Sequence, residues 1–320
     1  MSPDSGMKRS EYSGILNLKC CFFNSEGMVL VLTLMILILI TAMVVEFAYG
    51  VYTSTSALYN WRDSQRLSFV AKSGVVMAVN TISGAPQSEL YKYLGREIPV
   101  PNIPEGFNGS FIIKAEDENG RLNLNSINRT WGDRSVRVYD SFKRLLRNLD
   151  LEETIADRVA DWIDADSEPR LRDSEEGAKN AFMDSVDELL LIKGIDQTTY
   201  EKLLPYVTVY GFDATDSPLV NINTASIPVI MSLDERITKA MAEALVNQRV
   251  LEPFTMPGEL QKVGFSSTLI SSISDRITAT LPQNVRITSV AEENKIKRII
   301  ESTVSINRGN QGTIRYWREM

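Results

Sequence analysis

The sequence predicts an α+β protein: a long amino-terminal helix, membrane-spanning at its start, packed on a small antiparallel sheet, with a large all-α insertion between the two halves of that sheet. Three observations predict it. An uninterrupted apolar run lies near the start of the chain. Segments around residues 111–124 and 296–317 alternate with the period of a strand, and about 150 residues between them carry helical spacing.

The apolar run, MVLVLTLMILILITAMVV, extends from Met28 to Val45 and is broken only by Thr33 and Thr41. Its length at about 1.5 Å per residue is roughly 27 Å, close to the roughly 30 Å of a bilayer core. Phe47, Ala48 and Tyr49 extend it with aromatic side chains suited to a membrane interface. The run is longer than the roughly 7–15 residues of a secretory signal. Small residues at Ser54, Thr55, Ser56 and Ala57 nevertheless leave a cleaved signal open as the alternative. Residues 57–80 contain no proline, and Leu58, Trp61, Phe69, Val76 and Val79 make them a mixed amphipathic continuation of the same helix.

After Pro99, Pro101 and Pro104, Phe111, Ile113 and Ala115 precede Asn119-Gly120 and Leu122 and Leu124 follow it, which predicts a hairpin. Near the end of the chain Ile296, Arg298, Ile300, Ser302, Val304 and Ile306 share one strand face. A turn rich in Asn and Gly (Asn307, Gly309, Asn310, Gly312) and then TIRYW complete the second half of the sheet. Between the halves, Val138, Phe142, Leu145, Leu146 and Leu149 have helical spacing. Asp150 with Glu153 predicts a capping box leading to Ile155, Val159 and Trp162; Ser185 with Glu188 predicts another, opening a helix that ends near Gly194.

Composition removes several chemistries. The chain has no histidine, which excludes Ser-His-Asp and Cys-His hydrolases and a histidine zinc site. Net charge of −7 argues against a general attraction to nucleic acid or an anionic membrane surface. The two cysteines, Cys20 and Cys21, are adjacent and precede the apolar run, so no disulfide staples the part after it. No set of residues points to a catalytic cleft.

Gly27 stands directly before the apolar run, and the stretches EDENGRLNLNS, RVADWIDAD, DELLLIKGI, LPYVTVY and VNINTAS follow in order. On these residues the chain resembles the minor pseudopilin K (GspK) family of bacterial type II secretion, within the type IV pilin-like superfamily. The resemblance implies a prepilin leader, 1–27, cut by prepilin peptidase between Gly27 and Met28, with methylation of the new amino terminus. It implies a helix over 28–82 that spans the inner membrane at 28–48, a pseudopilin α/β core from 83–134 with 284–320, and an inserted domain of two helix-hairpin-helix or SAM-like lobes over 135–283. It also implies a non-enzymatic tip subunit with its bulk in the periplasm and minor pseudopilins I and J as partners.

Most members of the superfamily carry glutamate at the fifth mature position; here that residue is Leu32. A buried carboxylate needs a partner, usually the amino terminus of the next subunit up, and a subunit with none above it avoids the cost with an apolar side chain. The leader departs from the pattern. Glu26 precedes Gly27, and in the leader counted from Met1 (Met7 is the other candidate start) Lys8, Arg9 and Lys19 are balanced by Asp4, Glu11 and Glu26, so the amino terminus is placed in the cytoplasm by resemblance.

Two other readings stay open at this point: a minor pilin of a type IV pilus or DNA-uptake system, and a membrane-anchored helix-hairpin-helix DNA-binding protein. Against the latter, Lys193-Gly194-Ile195-Asp196 lacks the second glycine of a phosphate-binding hairpin, and MSLDERIT after VNINTAS has none, so nucleic acid is not expected as a partner.

Residues 161–178 carry the acids Asp161, Asp164, Asp166, Glu168, Asp173, Glu175 and Glu176 against Arg170 and Arg172. Asp164, Asp166 and Glu168 alternate and Glu175 falls where an EF-hand places its last ligand, but Pro169 occupies the glycine position, so the loop is not an EF-hand. Such oxygen donors suit Ca²⁺, and the resemblance implies calcium in the helical insert. The candidate ligands are Asp164, Asp166, Glu168, Asp173, Glu175 and Glu176; a solvated acidic loop is the alternative. Lys179 follows Gly177-Ala178 where the family has glutamate, and the loop before Asp184 is short, leaving one ligand unaccounted for.

Overall fold

A run of apolar residues without a breaker propagates a helix as far as the sequence allows, and α1 extends over Ser25–Gly84. The computed structural model describes residues 25–98, 100, 107–127, 133–210, 219–280, 282–306 and 312–320. The leader upstream of Ser25, the prolines at 99, 101 and 104, and the turn at Asn307–Asn310 lie outside the described residues.

The chain divides into two units, residues 1–62 and 63–320. In the first, every large apolar side chain from Met28 to Trp61 is exposed, Leu32 to 57%. A helix apolar on all sides is satisfied by lipid or by neighbouring helices. Its polar exceptions close on the backbone: Thr33 Oγ1 donates to Leu30 O at 2.8 Å and Thr41 Oγ1 to Ile38 O at 3.2 Å. With a mean hydropathy of 3.1 over 18 residues, α1 is long and apolar enough to cross a membrane.

In the second unit α1 becomes one-sided. Leu67, Val70, Ala71, Val75, Ala78 and Ile82 are buried at helical spacing. They pack with Ile113, Ala115, Val285, Ile287, Ala291, Ile300 and Val304 of a five-stranded sheet. After α2 (Gln87–Tyr93) come β1 (Glu97–Ile98) and β2 (Ser110–Asp117), the first strands of that sheet. Gly74 sets the approach: a Cβ there would lie 2.2 Å from Ser289 Oγ and 2.8 Å from Phe111 Cζ.

β2 does not turn back at Asn119-Gly120. Neither residue has the positive φ that a two-residue hairpin requires. Residues Glu118–Gly120 form a 3₁₀ turn instead, because Asp117 accepts the Asn119 N–H at 2.9 Å and polar pairs hold the segment. Glu118 is fully buried: Arg121 Nη1 donates to it at 2.9 Å, Arg286 Nε lies 2.6 Å away in an ion pair outside hydrogen-bond geometry, and Thr208 Oγ1 donates to its second oxygen. Leu122 and Leu124 therefore leave the sheet and enter the core of the helical insert.

The insert repeats one arrangement twice. Lobe 1 comprises β3 (Leu122–Asn123), α3 (Asp133–Asn148), α4 (Thr154–Ile163), a 3₁₀ helix (Val186–Leu191), α5 (Gln197–Leu203) and β4 (Val207–Thr208). Lobe 2 comprises β5 (Val220–Asn221), α6 (Ile227–Ser232), α7 (Lys239–Leu251), a 3₁₀ helix (Pro257–Val263), α8 (Ser267–Ile273) and β6 (Ile277–Thr278). β3 pairs parallel with β4 as β5 does with β6. Asn125 Nδ2 donates to Met183 O and Val209 O while its Oδ1 accepts Met183 N; Asn223 does the same with Phe254 and Ala279. Gly194 and Gly264 both sit at left-handed φ, 87° and 86°, where a side chain would be strained. The second hairpin thus lies at Pro257–Gly264 and not at MSLDERIT.

The two expected caps differ. Ser185 and Glu188 form a capping box, opening a 3₁₀ rather than an α-helix. Asp150 does not cap α4. At φ 53° it closes α3, with its own N–H on Arg147 O (3.2 Å) and that of Leu151 on Leu146 O (2.9 Å), a Schellman arrangement; Glu153 instead pairs with Arg147 at 2.9 Å.

The chain then returns to the sheet through β7 (Asn284–Glu293), β8 (Ile296–Ser305) and β9 (Thr313–Glu319), in the order β1-β2-β7-β8-β9, all antiparallel. The two-residue hairpin of this sheet is Asn294-Lys295, at φ 51° and 66°.

Candidate functional site

The acidic loop leaves the end of α4, whose last buried turn carries Asp161, with Asp164 as its C-cap. Three residues apart on a helix, the two carboxylates share a face. Glu175 returns to them, and one oxygen of each lies within 4.8 Å of the others. Arg170 enters this cluster: its Nη1 donates to Asp161 and, at 2.8 Å, to Asp164 Oδ2, and its main-chain N–H donates to Asp161 Oδ2 at 2.8 Å. Ser174 Oγ also donates to Asp161.

One guanidinium does not satisfy three carboxylates. Asp164 Oδ1, Glu175 Oε1 and, in the same loop, Asn180 Oδ1 are buried without a hydrogen-bond partner. Burial raises the Asp164 carboxyl pKa, with Arg170 opposing. Burial, then the neighbouring Asp161, Asp164 and Asp166, raises that of Glu175. Carboxylate and amide oxygens held together and partly uncompensated are donors of the type that hard cations take.

The remaining candidate ligands lie outside this three-carboxylate group, with Asp166 near enough to raise the pKa of Asp164 and Glu175. Asp166 Oδ1 accepts the main-chain N–H of the exposed Glu168 at 3.0 Å. Asp173 pairs with Arg158 at 3.0 Å and Lys193 at 2.8 Å, and exposed Glu176 lies 3.8 Å from Lys193. Lys179 bonds Asp184 at 2.6 Å and Glu188 at 3.0 Å, bracing the capping box. Asp161 was not among the candidate ligands; its spacing from Asp164 at the end of an amphipathic helix was the signal that could have found it.

In α1, Gly27, Met28 and Leu32 lie within continuous helix, and no charged residue occurs from Gly27 to Val45.

An apolar anchor helix whose later turns pack on an antiparallel sheet, with helical lobes inserted between the strands, is a pseudopilin architecture. Two family models described as type II secretion system (T2SS), protein K match residues 120–212 and 220–278. The type II secretion system protein K of Pseudomonas aeruginosa is 31% identical over 226 residues, covering 65% of this chain and 63% of that one. That of Pectobacterium carotovorum subsp. carotovorum is 28% identical over 276 residues, covering 77% and 83%. The match thus spans somewhat under two thirds of the Pseudomonas relative. A chain of the crystal structure of the GspK-GspI-GspJ complex from enterotoxigenic Escherichia coli shares the fold, with a TM-score of 0.60 at 19% identity over 83% of this chain and 99% of that chain. The chain is thus similar to type II secretion system protein K over residues 120–212 and 220–278.

Proposed function

We propose that this chain is the tip minor pseudopilin of a type II secretion system, initiating and capping the filament that drives protein export. Residues 28–48 anchor it in the inner membrane and its bulk lies in the periplasm. Its role is structural: it turns over no substrate. Minor pseudopilins I and J are its partners, as they are for the solved relative named above.

The observation that carries the reading is Leu32. With the chain cut between Gly27 and Met28, the fifth side chain is apolar and no acid follows before Glu46. Nothing in that stretch of helix needs the amino terminus of a subunit above it, because an unpaired carboxylate in lipid is the cost that leucine removes. The family match disfavours the DNA-uptake and DNA-binding alternatives.

Ca²⁺ is held by Asp161, Asp164 and Glu175, with Asn180 as a further oxygen donor in the loop. The unpartnered buried oxygens support this, since each would otherwise carry an uncompensated desolvation cost. The bound ion would add positive charge beside Arg170 and hold the loop to the end of α4.

Amino-terminal sequencing of the membrane-extracted protein tests the anchor. A mature chain beginning at a methylated Met28 is expected; any other start contradicts the assignment.

A further inference from the structure

Away from the acidic loop, a cleft of about 490 Å³ opens where α2, the end of β2 and lobe 2 come together. Its charged lining is Arg96, Arg121 and Arg249 against Glu116 and Asp117, a positive balance in a chain of net charge −7. Both acids are already engaged. Arg121 donates to Glu116 at 2.7 Å, while Asp117 accepts from Asn221 Nδ2 at 2.8 Å and Thr224 Oγ1 at 2.6 Å.

Arg249 is different. Its Nη1 donates to two main-chain carbonyls, Ile222 O at 2.9 Å and Ala225 O at 2.6 Å, which fixes the plane of the guanidinium. Among the described residues it has no carboxylate partner, and its Nε and Nη2 make no hydrogen bond. Those two nitrogens form the edge of parallel N–H bonds that matches the two oxygens of a carboxylate. Burial pulls the Arg249 pKa down to about 10 with no acid opposing it, as for a cation that lacks its counter-charge. Beside it on the cleft wall, Val250 and Leu251 are 72% and 82% exposed at the end of α7.

We propose that this cleft captures a peptide carboxylate of a partner polypeptide, with Arg249 gripping the two oxygens through its free edge and Val250 and Leu251 covering an adjoining apolar side chain. The charge of the lining selects an acidic group, and the apolar lip selects a peptide over a small acid. The same chemistry is offered by a chain terminus and by an Asp or Glu side chain. The inference concerns the outer unit alone and holds wherever in a filament the chain sits.

Three fluorescein-labelled octapeptides read by anisotropy against the full-length protein in detergent distinguish these sources. One ends in Leu-Phe with a free carboxylate, the second is its carboxyl-terminal amide, and the third is an amide with an internal Asp-Leu pair. At least one carboxylate peptide should bind while the plain amide does not, and whichever binds identifies the source. Arg249→Lys, which keeps the charge but loses the fork, should weaken that peptide at least tenfold. The exposed double variant Val250→Ser with Leu251→Ser should weaken it severalfold with an unchanged melting temperature. Equal binding of all three peptides, binding of none, or wild-type affinity in a folded Arg249→Lys protein would overturn the proposal; wild-type affinity in the double variant would remove its apolar half.

Discussion

Replacing Glu118 by alanine tests how the sheet is locked to the helical insert. Its carboxylate is 0% exposed and sits between Arg286 of β7, 2.6 Å away, and Arg121 at 2.9 Å, with Thr208 of β4 donating to its other oxygen. Removing one member of a buried ion pair leaves the other charged and desolvated, which costs about 3–5 kcal/mol. Among the described residues Arg121 keeps Glu116 at 2.7 Å and Arg286 keeps only Glu301 at 3.7 Å, so the expected cost is near the lower end, about 3 kcal/mol. For a domain of this size that lowers the melting temperature by roughly 6–12 °C. Near-ultraviolet circular dichroism of the detergent-solubilised full chain reads it through the tryptophans. Glu118→Gln, which retains acceptor and shape, should cost less than Glu118→Ala, and adding Arg286→Met to Glu118→Ala should recover part of the loss. A cost below about 1 kcal/mol for Glu118→Ala, or strictly additive effects of the two, would show that the network does not carry the junction.

Further outcomes follow from other sites. Millimolar Ca²⁺ should raise the melting temperature of the wild-type protein, and paired Asp164→Asn and Glu175→Gln should abolish that rise; at about 100 times the dissociation constant the gain is roughly 2.7 kcal/mol, and an unchanged response in the double variant rejects those ligands. Gly109→Ala should loosen the edge of the sheet by about 1–3 kcal/mol in thermal unfolding, since its Cβ would lie 1.9 Å from the main-chain oxygen of Glu292, which cannot rotate away. Burial raises the Asp117 carboxyl pKa to about 6. The folded state therefore holds this proton more tightly than the unfolded chain does. Its contribution is complete below about pH 4 and is lost as pH rises through about 6. Asp117→Asn should flatten that part of the stability–pH curve, and a wild-type slope in the variant would assign the titration to another group.

Much of the fold was legible because period and composition carry it. The Met28–Val45 run, the apolar spacing of α3 and the Ser185–Glu188 cap needed only local physics, whereas Leu58, Trp61, Phe69 and Val76, read as the apolar side chains of the continuing α1, are exposed and Leu67, Val70, Ala71, Val75, Ala78 and Ile82 take the core instead. The failures have a common cause: a local signal yielded to a distant partner. Asn119-Gly120 reads as a hairpin until Glu118 finds Arg286, which is far along the sequence. Asp150 and Glu153 read as a cap until Arg147 claims Glu153 and Asp150 takes the left-handed position usually filled by glycine. β7 lies in the middle of the sheet yet was not singled out, because Ser289 and Thr288 dilute its alternation; Val285, Ile287 and Ala291 were the available signal. The acidic segment was legible as a cluster of oxygen donors, but which acids meet depends on the path of the loop back to α4. Asp161, on the helix, joins the cluster, whereas Asp166, Glu168, Asp173 and Glu176 face water or bases. The lobe repeat was present in plain view as Glu188-Leu189 before Gly194 and Glu259-Leu260 before Gly264, with a one-residue difference in spacing that hides it from a strict match.

The position of this chain in the assembled filament is tested most directly by labelling. A carboxyl-terminal affinity tag on the protein, incorporated into pseudopili with its partners and marked with gold, should appear once per filament and only at one end. Label distributed along the shaft would contradict the tip assignment and the part given to Leu32.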